Sequence, residues 1–288
     1  MDILKAIIYG IVQGITEWLP ISSTAHLRVV PALAGWEDPG AAYTAVIQLG
    51  TLLAVLIYFR KELAMAFTGW AASLIHADQR GTPEAKMGWA IFVGTIPIVI
   101  CGVLFKDAIE GSLRSLYVIS VSLIVVGLLM LVAEKFGKQN RRLGDVRIID
   151  GLIVGCCQAV ALIPGASRSG STLVGGLFSG FDRATAAKFS FLLSVPSIFA
   201  AGLKEFWSYR DQIMGDQLVP IIVATVVSFI VGYATIAFLL NYLAKRSTAV
   251  FVGYRIALAC LLLVLLQTGK LDPMQGIEPK TPDVQTQK

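Results

Sequence analysis

Gln13-Gly14-Ile15-Thr16-Glu17-Trp18-Leu19-Pro20-Ile21-Ser22-Ser23-Thr24-Ala25-His26 puts a carboxylate, an imidazole, hydroxyls and a proline into an apolar run that extends from residue 3 to residue 34. A second stretch, Pro164-Gly165-Ala166-Ser167-Arg168-Ser169-Gly170-Ser171-Thr172, does the same within residues 147 to 179. At about 20 residues per crossing, neither run is long enough to cross a bilayer twice. Each is split near its middle, by Pro20 or by Pro164-Gly165, and so reads as a re-entrant hairpin of helix, break and helix. Irregular backbone at membrane depth survives only where protein or a water-filled cavity satisfies its hydrogen bonds, so the breaks mark cavities.

The rest of the 288-residue chain is the background such hairpins need. It is 56% hydrophobic and 15% charged, with a mean hydropathy of +0.72, which is the balance of an integral membrane protein. Six segments read as full spans: roughly 43 to 60, 88 to 105, 116 to 134, 185 to 204, 218 to 243 and 249 to 268. The expected fold is therefore all-α, with about six transmembrane helices and two re-entrant hairpins. Residues 1–269 form one polytopic membrane domain, divided into halves at about 1–134 and 147–269. Residues 270–288, polar and punctuated by Pro273, Pro279 and Pro282, are expected to be a disordered tail. The net charge of +5 lies mostly in short loops, so it implies topology and no nucleic-acid partner. Cys101, Cys156, Cys157 and Cys260 lie in apolar segments without metal or disulfide spacing. Met1-Asp2 is not a basic leader start, and the N-terminal segment is expected to be retained.

The two halves resemble each other. Gly10-x-x-Gln13 precedes Pro20 and a Ser-Ser-Thr, and Gly155-x-x-Gln158 precedes Pro164 and a Ser-Arg-Ser, with spacings that differ by one when the prolines are matched. A hairpin plus three spans in each half inverts the second half, and paired interrupted segments in inverted halves point to a midplane site. Lys and Arg crowd the loops near residues 60–86, 135–147, 183–188 and 245–246, while the opposite face carries only Lys5, Arg28, Lys106, Arg114, Lys204 and Arg210. The first face is expected to be cytoplasmic, which leaves the mouth of the first hairpin extracytoplasmic. Gly151, Gly155, Gly175, Gly176 and Gly180 are expected to serve helix packing.

Gln13 and Glu17 are four apart and share a helix face. Pro20 ends that helix, so that Ser22, Ser23 and Thr24 fall at the start of the next, where they cap it and leave backbone N–H groups aimed into the break. His26 follows within about a turn. Carboxylate, hydroxyls and imidazole thus converge on an anion-favouring helix N-terminus. In the second segment Ser167 and Ser169 add hydroxyls, and Arg168 adds a planar fork suited to phosphate oxygens. The plainer reading has the hydroxyls only capping, Glu17 at an interface, His26 in the core and Arg168 in a structural ion pair with Glu17. An intramembrane acid with a histidine is expensive without a role, which favours a site for an anionic, phosphorylated amphiphile entering from the bilayer.

Gln13-x-x-x-Glu17 with Pro20-x-Ser22-Ser23-Thr24-x-His26, and Pro164-Gly165-x-Ser167-Arg168-Ser169-x-x-Thr172, closely resemble the undecaprenyl-diphosphatase family associated with bacitracin resistance. The resemblance extends to Gln48-Leu49-Gly50 and Phe189-Ser190-Phe191-Leu192-Leu193. It implies hydrolysis of the polyprenyl lipid undecaprenyl diphosphate to undecaprenyl phosphate and phosphate, recycling the carrier for peptidoglycan synthesis at the bacterial plasma membrane. It also implies Ser23 as candidate nucleophile, Glu17 and His26 handling protons and Arg168 gripping the diphosphate. Gln13, Ser22, Thr24, Ser167, Ser169 and Thr172 would then complete the substrate cradle. Ser22 or a water stays open as the attacker. Gln13 stands where many members carry Glu, which leaves Glu17 as the one motif carboxylate for a magnesium or calcium ion. The competing class is a transporter or flippase for the polyprenyl phosphate, since inverted halves with broken helices also suit alternating access. A homodimer is compatible with either reading.

Overall fold

The computed structural model describes residues 2–213 and 217–274, and the described residues contain helices and no strand. In chain order the helices are α1 (Ile3–Trp18), α2 (Ser23–Ala34), α3 (Gly40–Tyr58), α4 (Arg60–Ile75), α5 (Pro83–Leu104), α6 (Lys106–Glu110), α7 (Leu116–Phe136), α8 (Ile148–Val160), α9 (Arg168–Phe178), α10 (Arg183–Ile213), α11 (Leu218–Leu243) and α12 (Ala249–Gln267). Five of them, α5, α7, α10, α11 and α12, are long and apolar enough to cross a membrane, and α3 with α4, bent by 80° between them, passes the same test as a pair, as a broken span or a re-entrant loop. Helices stand at all six places expected to span, and a helix, break and helix at both expected hairpins. The tail expected from residue 270 lies outside the described residues from 275 onward.

Helix α4 is the element the sequence did not announce. Its first turn carries Arg60, Lys61 and Glu62, so hydropathy reads the stretch as a connection. The chain turns at Phe59, 1% exposed and packed against Tyr58 and Phe191. Helix α4 then docks on α5 through an aromatic cluster of Trp70, Trp89 and Phe92. Gly88 makes that approach close: a Cβ there would stand 2.3 Å from the Ala66 carbonyl oxygen.

The halves pack as the repeat requires. Helix α1 lies along α11, the second span of the opposite half, and α8 lies along α5, the second span of its opposite half. The same device serves both crossings. Gly10 and Gly14 meet Ala224, Val227 and Val231 of α11, while Gly151 and Gly155 meet the Ala90 and Gly94 backbone of α5. Gly175 and Gly176 also sit at contacts, against Cys157 and Ala186. Gly180 serves a turn rather than a helix crossing: it holds φ +90° after α9, a conformation that favours glycine, with the Arg141 side chain 3.4 Å from where a Cβ would stand.

The loops sort into two faces. On one, Arg141 and Arg147 both bind Asp150, Arg142 binds Asp182, and Glu134 receives Arg183 and the Thr248 amide. On the other, Asp38 pairs with Arg114 and the Leu116 amide donates to the Pro273 carbonyl. Arg28 and Arg114, expected on one face, lie beside the same Asp38. Several of the charges sit inside helices, Lys5 in α1, Arg28 in α2 and Lys204 in α10, and Arg28 is 3% exposed.

Candidate active site

Ser22 and Ser167 hold the two breaks in one geometry. Each is a non-glycine residue at positive φ, +75° and +72°, and each caps the following helix by accepting from the backbone amide three residues on, Ala25 or Gly170. A short polar side chain is what tolerates that backbone and uses it. The cap hydroxyls also pair in the same way, Ser22 with Thr24 at 3.1 Å and Ser167 with Ser169 at 3.2 Å. Superposing the caps removes the one-residue mismatch of the proline alignment. Gln13 to Ser22 and Gln158 to Ser167 are both nine residues apart, so Pro20 corresponds to Gly165, and Pro164 to Leu19.

The hairpins meet at their breaks. The Ser169 hydroxyl donates to the Leu19 carbonyl at 3.0 Å, and the Gly165 amide approaches the Thr24 hydroxyl at 3.5 Å. Arg255 of α12, fully buried, fastens the junction by donating to the carbonyls of Pro20, Gly165 and Ala166 as well as Ser122 and Leu123 of α7. One guanidinium thus satisfies backbone that both breaks release from helical bonding.

At this junction the repeat differentiates. Ser23 and Arg168 occupy the same position, the first residue of α2 and of α9. Glu17 has Leu162 as its counterpart. The Glu17 carboxylate, its side chain 2% exposed, accepts from Gln13 at 2.9 Å, from the Ser23 hydroxyl at 2.8 Å, and from Gln48 of α3 at 2.9 Å to each oxygen. A guanidinium nitrogen of Arg168 lies 3.4 Å from its Oε1. That nitrogen is buried and makes no hydrogen bond among the described residues. Charge attracts it to Glu17 without using its directional capacity, so it can donate to an oxyanion arriving between the helices.

His26 is engaged differently from the expected role. One ring nitrogen meets the Ser22 carbonyl and the other the Tyr254 hydroxyl, both at 2.7 Å, and its ring stacks on Tyr254. It braces the backbone just ahead of Ser23. Thr172 is wholly buried and is bonded to the Arg168 carbonyl and to Ser190 of α10; it ties α9 to α10 instead of facing the junction. The remaining predicted residues, Gln13, Ser22, Ser23, Thr24, Ser167 and Ser169, gather at the two breaks with Glu17 and Arg168.

Gln48, Tyr254 and Arg255 complete the arrangement. The first sat in a quoted motif without an assigned part, and the other two lay unremarked in the last span. Arg255 carried a usable signal, since a guanidinium in the middle of an apolar span is expensive unless it is employed. Among the described residues Glu17 is the one carboxylate at the junction, and no three His, Cys, Asp or Glu side chains gather in a way that could hold a metal ion.

The chain matches the family model described as bacitracin resistance protein BacA over residues 6–261. An undecaprenyl-diphosphatase of Prosthecochloris aestuarii is 53% identical over 280 residues, covering 94% of this chain and 99% of the relative. One of Chlorobaculum tepidum is 51% identical over 282 residues, covering 95% and 100%. Another, of Myxococcus xanthus, is 53% identical over 278 residues, covering 96% and 94%.

Proposed function

Given that this chain belongs to the bacitracin resistance protein BacA family, we propose a mechanism by which the two joined breaks carry out its hydrolysis of undecaprenyl diphosphate to undecaprenyl phosphate and inorganic phosphate. The terminal phosphate enters between the N-termini of α2 and α9. Their exposed amides and Arg168 favour its charge. The Ser23 oxygen attacks the terminal phosphorus, the bond from that phosphorus to the bridging oxygen breaks, and undecaprenyl phosphate leaves. Glu17 takes the Ser23 proton and passes it to the departing side. Water then attacks the phosphoserine with Glu17 as base, and the serine oxygen recovers a proton as phosphate departs.

The 2.8 Å hydrogen bond from the Ser23 hydroxyl to Glu17 carries this reading. It joins a nucleophile to a base, whereas Ser22 spends its oxygen on the cap. Gln13 and Gln48 fix the carboxylate from the other side. Arg168 would stabilise charge that spreads over the equatorial oxygens in the transition state. His26 acts as a positioning residue with Tyr254. A magnesium or calcium ion fits only as a companion of the diphosphate, sharing a Glu17 oxygen and taking the rest of its shell from substrate and water.

The multi-pass chain resides, on this reading, in the bacterial plasma membrane. Its Arg-rich loop face is cytoplasmic and the junction opens to the other side. Acid quenching of the purified protein with substrate labelled in the terminal phosphate tests the covalent step. Label recovered on Ser23 in the wild type supports it. Turnover with no label on protein, even in a variant slowed at the second step, would assign the attack to water.

A further inference from the structure

Arg28 is a buried cation that the mechanism does not use. It is 3% exposed, and its Nε and one terminal nitrogen are buried without a hydrogen-bond partner among the described residues. Its nearest resolved counter-charge is Asp38, 3.5 Å from Nε, and Asp38 is already occupied by Arg114 at 2.8 Å and by the Gly40 amide at 2.9 Å. Asp272 is the other acidic group that acts on Arg28. The two guanidiniums are thus matched in number by carboxylates, yet two donors of Arg28 stay unused. A buried donor left without a partner is costly, the more so when charged, so an acceptor is called for.

These groups line a cavity of about 170 Å³. Thr24 and Pro164 of the two breaks stand in its wall, and so do Arg28, Asp38 and Arg114. Thr24 and Arg28 are four residues apart on α2, hence on one helix face about a turn from each other. Thr24, an exposed residue, belongs both to the cap cluster of the junction and to this cavity. The cavity therefore adjoins the place where phosphate is set free and leads toward the face that carries Asp38 and Arg114.

We propose that Arg28 and Arg114 form a second oxyanion subsite, a vestibule that receives a phosphate group one helical turn from the catalytic junction. It rests on the phosphatase reading for its ligand, which is either the released inorganic phosphate on its way out or the diphosphate headgroup on its way in. A tetrahedral oxyanion supplies the acceptors that Arg28 lacks, and Asp38, with one oxygen near both guanidiniums, holds them at the same cavity.

The test measures inhibition by added inorganic phosphate, and KM for undecaprenyl diphosphate, in the purified protein and in Arg28→Met and Arg114→Gln. Losing a charge-assisted hydrogen bond weakens phosphate binding about tenfold or more. If the ligand is released phosphate, its inhibition constant rises by that factor in both variants. If the ligand is the arriving headgroup, KM rises by that factor while phosphate inhibition holds; either result supports the subsite. Inhibition and KM both within twofold of wild type, in variants that unfold at the wild-type temperature, would overturn it. Arg114, with its side chain 19% exposed, supplies the second variant should Arg28→Met fold poorly. Thermal unfolding titrated with inorganic phosphate reads the same site without turnover. A phosphate-dependent shift in wild type, lost in the variants, stands even if no substrate is hydrolysed, so failure of the vestibule and failure of the mechanism are separable.

Discussion

Glu17 receives or faces side chains from four different helices: Gln13 of α1, Ser23 of α2, Gln48 of α3 and Arg168 of α9. Glu17→Gln preserves volume but removes the base, so phosphate release should fall at least about 10²-fold while the unfolding temperature stays close to wild type. Tyr254→Phe deletes one neutral hydrogen bond to His26. It should lower kcat up to about tenfold and leave KM unchanged, as steady-state kinetics would record. The acid, the hydroxyls and Arg168 were legible in the sequence because polarity in an apolar run is conspicuous. Gln48 was not, since an amide gains meaning only from the carboxylate it faces 31 residues away. Arg28 lies with Arg114 at Asp38, as its expected face implies, but its burial was not legible, because a linear reading of charges does not see how deep a short helix goes.

At the level of elements, the two breaks depend on serines in left-handed backbone. Ser167→Gly loses the cap but suits φ +72°, so stability should change by about 1 kcal/mol or less. Ser167→Val adds a β-branch to that backbone and should cost about 2–4 kcal/mol, combining the lost cap with strain; detergent-phase unfolding would separate the two. Arg255→Lys should fail to replace the wild type, because one ammonium cannot reach five carbonyls on three segments. A loss of roughly 3 kcal/mol or more is expected, together with loss of activity. The hairpins themselves were readable from run length and from the proline breaks. Their register was not: the prolines were the visible landmarks, while the equivalence lies in Ser22 and Ser167, which a backbone angle defines. Helix α4 was hidden for a related reason, since its polar first turn reads as a loop and only Phe59 and the aromatic seam with α5 make it a packed element.

For the molecule as a whole, α1 packs on α11 as α8 packs on α5, the reciprocal contacts expected of two repeated halves, and ion pairs join the loops around Asp150 and Glu134. Asp150, wholly buried between Arg141 and Arg147, should cost about 2–4 kcal/mol when replaced by Ala, measured by unfolding in detergent. In a variant lacking the four natural cysteines, single cysteines at Asp78 and Lys138 should react from the cytoplasmic side and those at Glu37 and Asp107 from the other. Inverted halves alone would suit a carrier as well as an enzyme. The distinction lies in the junction, where a hydroxyl is hydrogen-bonded to a carboxylate beside a guanidinium with an unused donor. The decisive measurement is phosphate release from undecaprenyl diphosphate in detergent, where no second leaflet exists, comparing wild type with a folded Ser23→Ala. Release by the wild type that drops by about 10³-fold or more in the variant is the expected result; a Ser23→Ala protein that releases phosphate at the wild-type rate would contradict the mechanism.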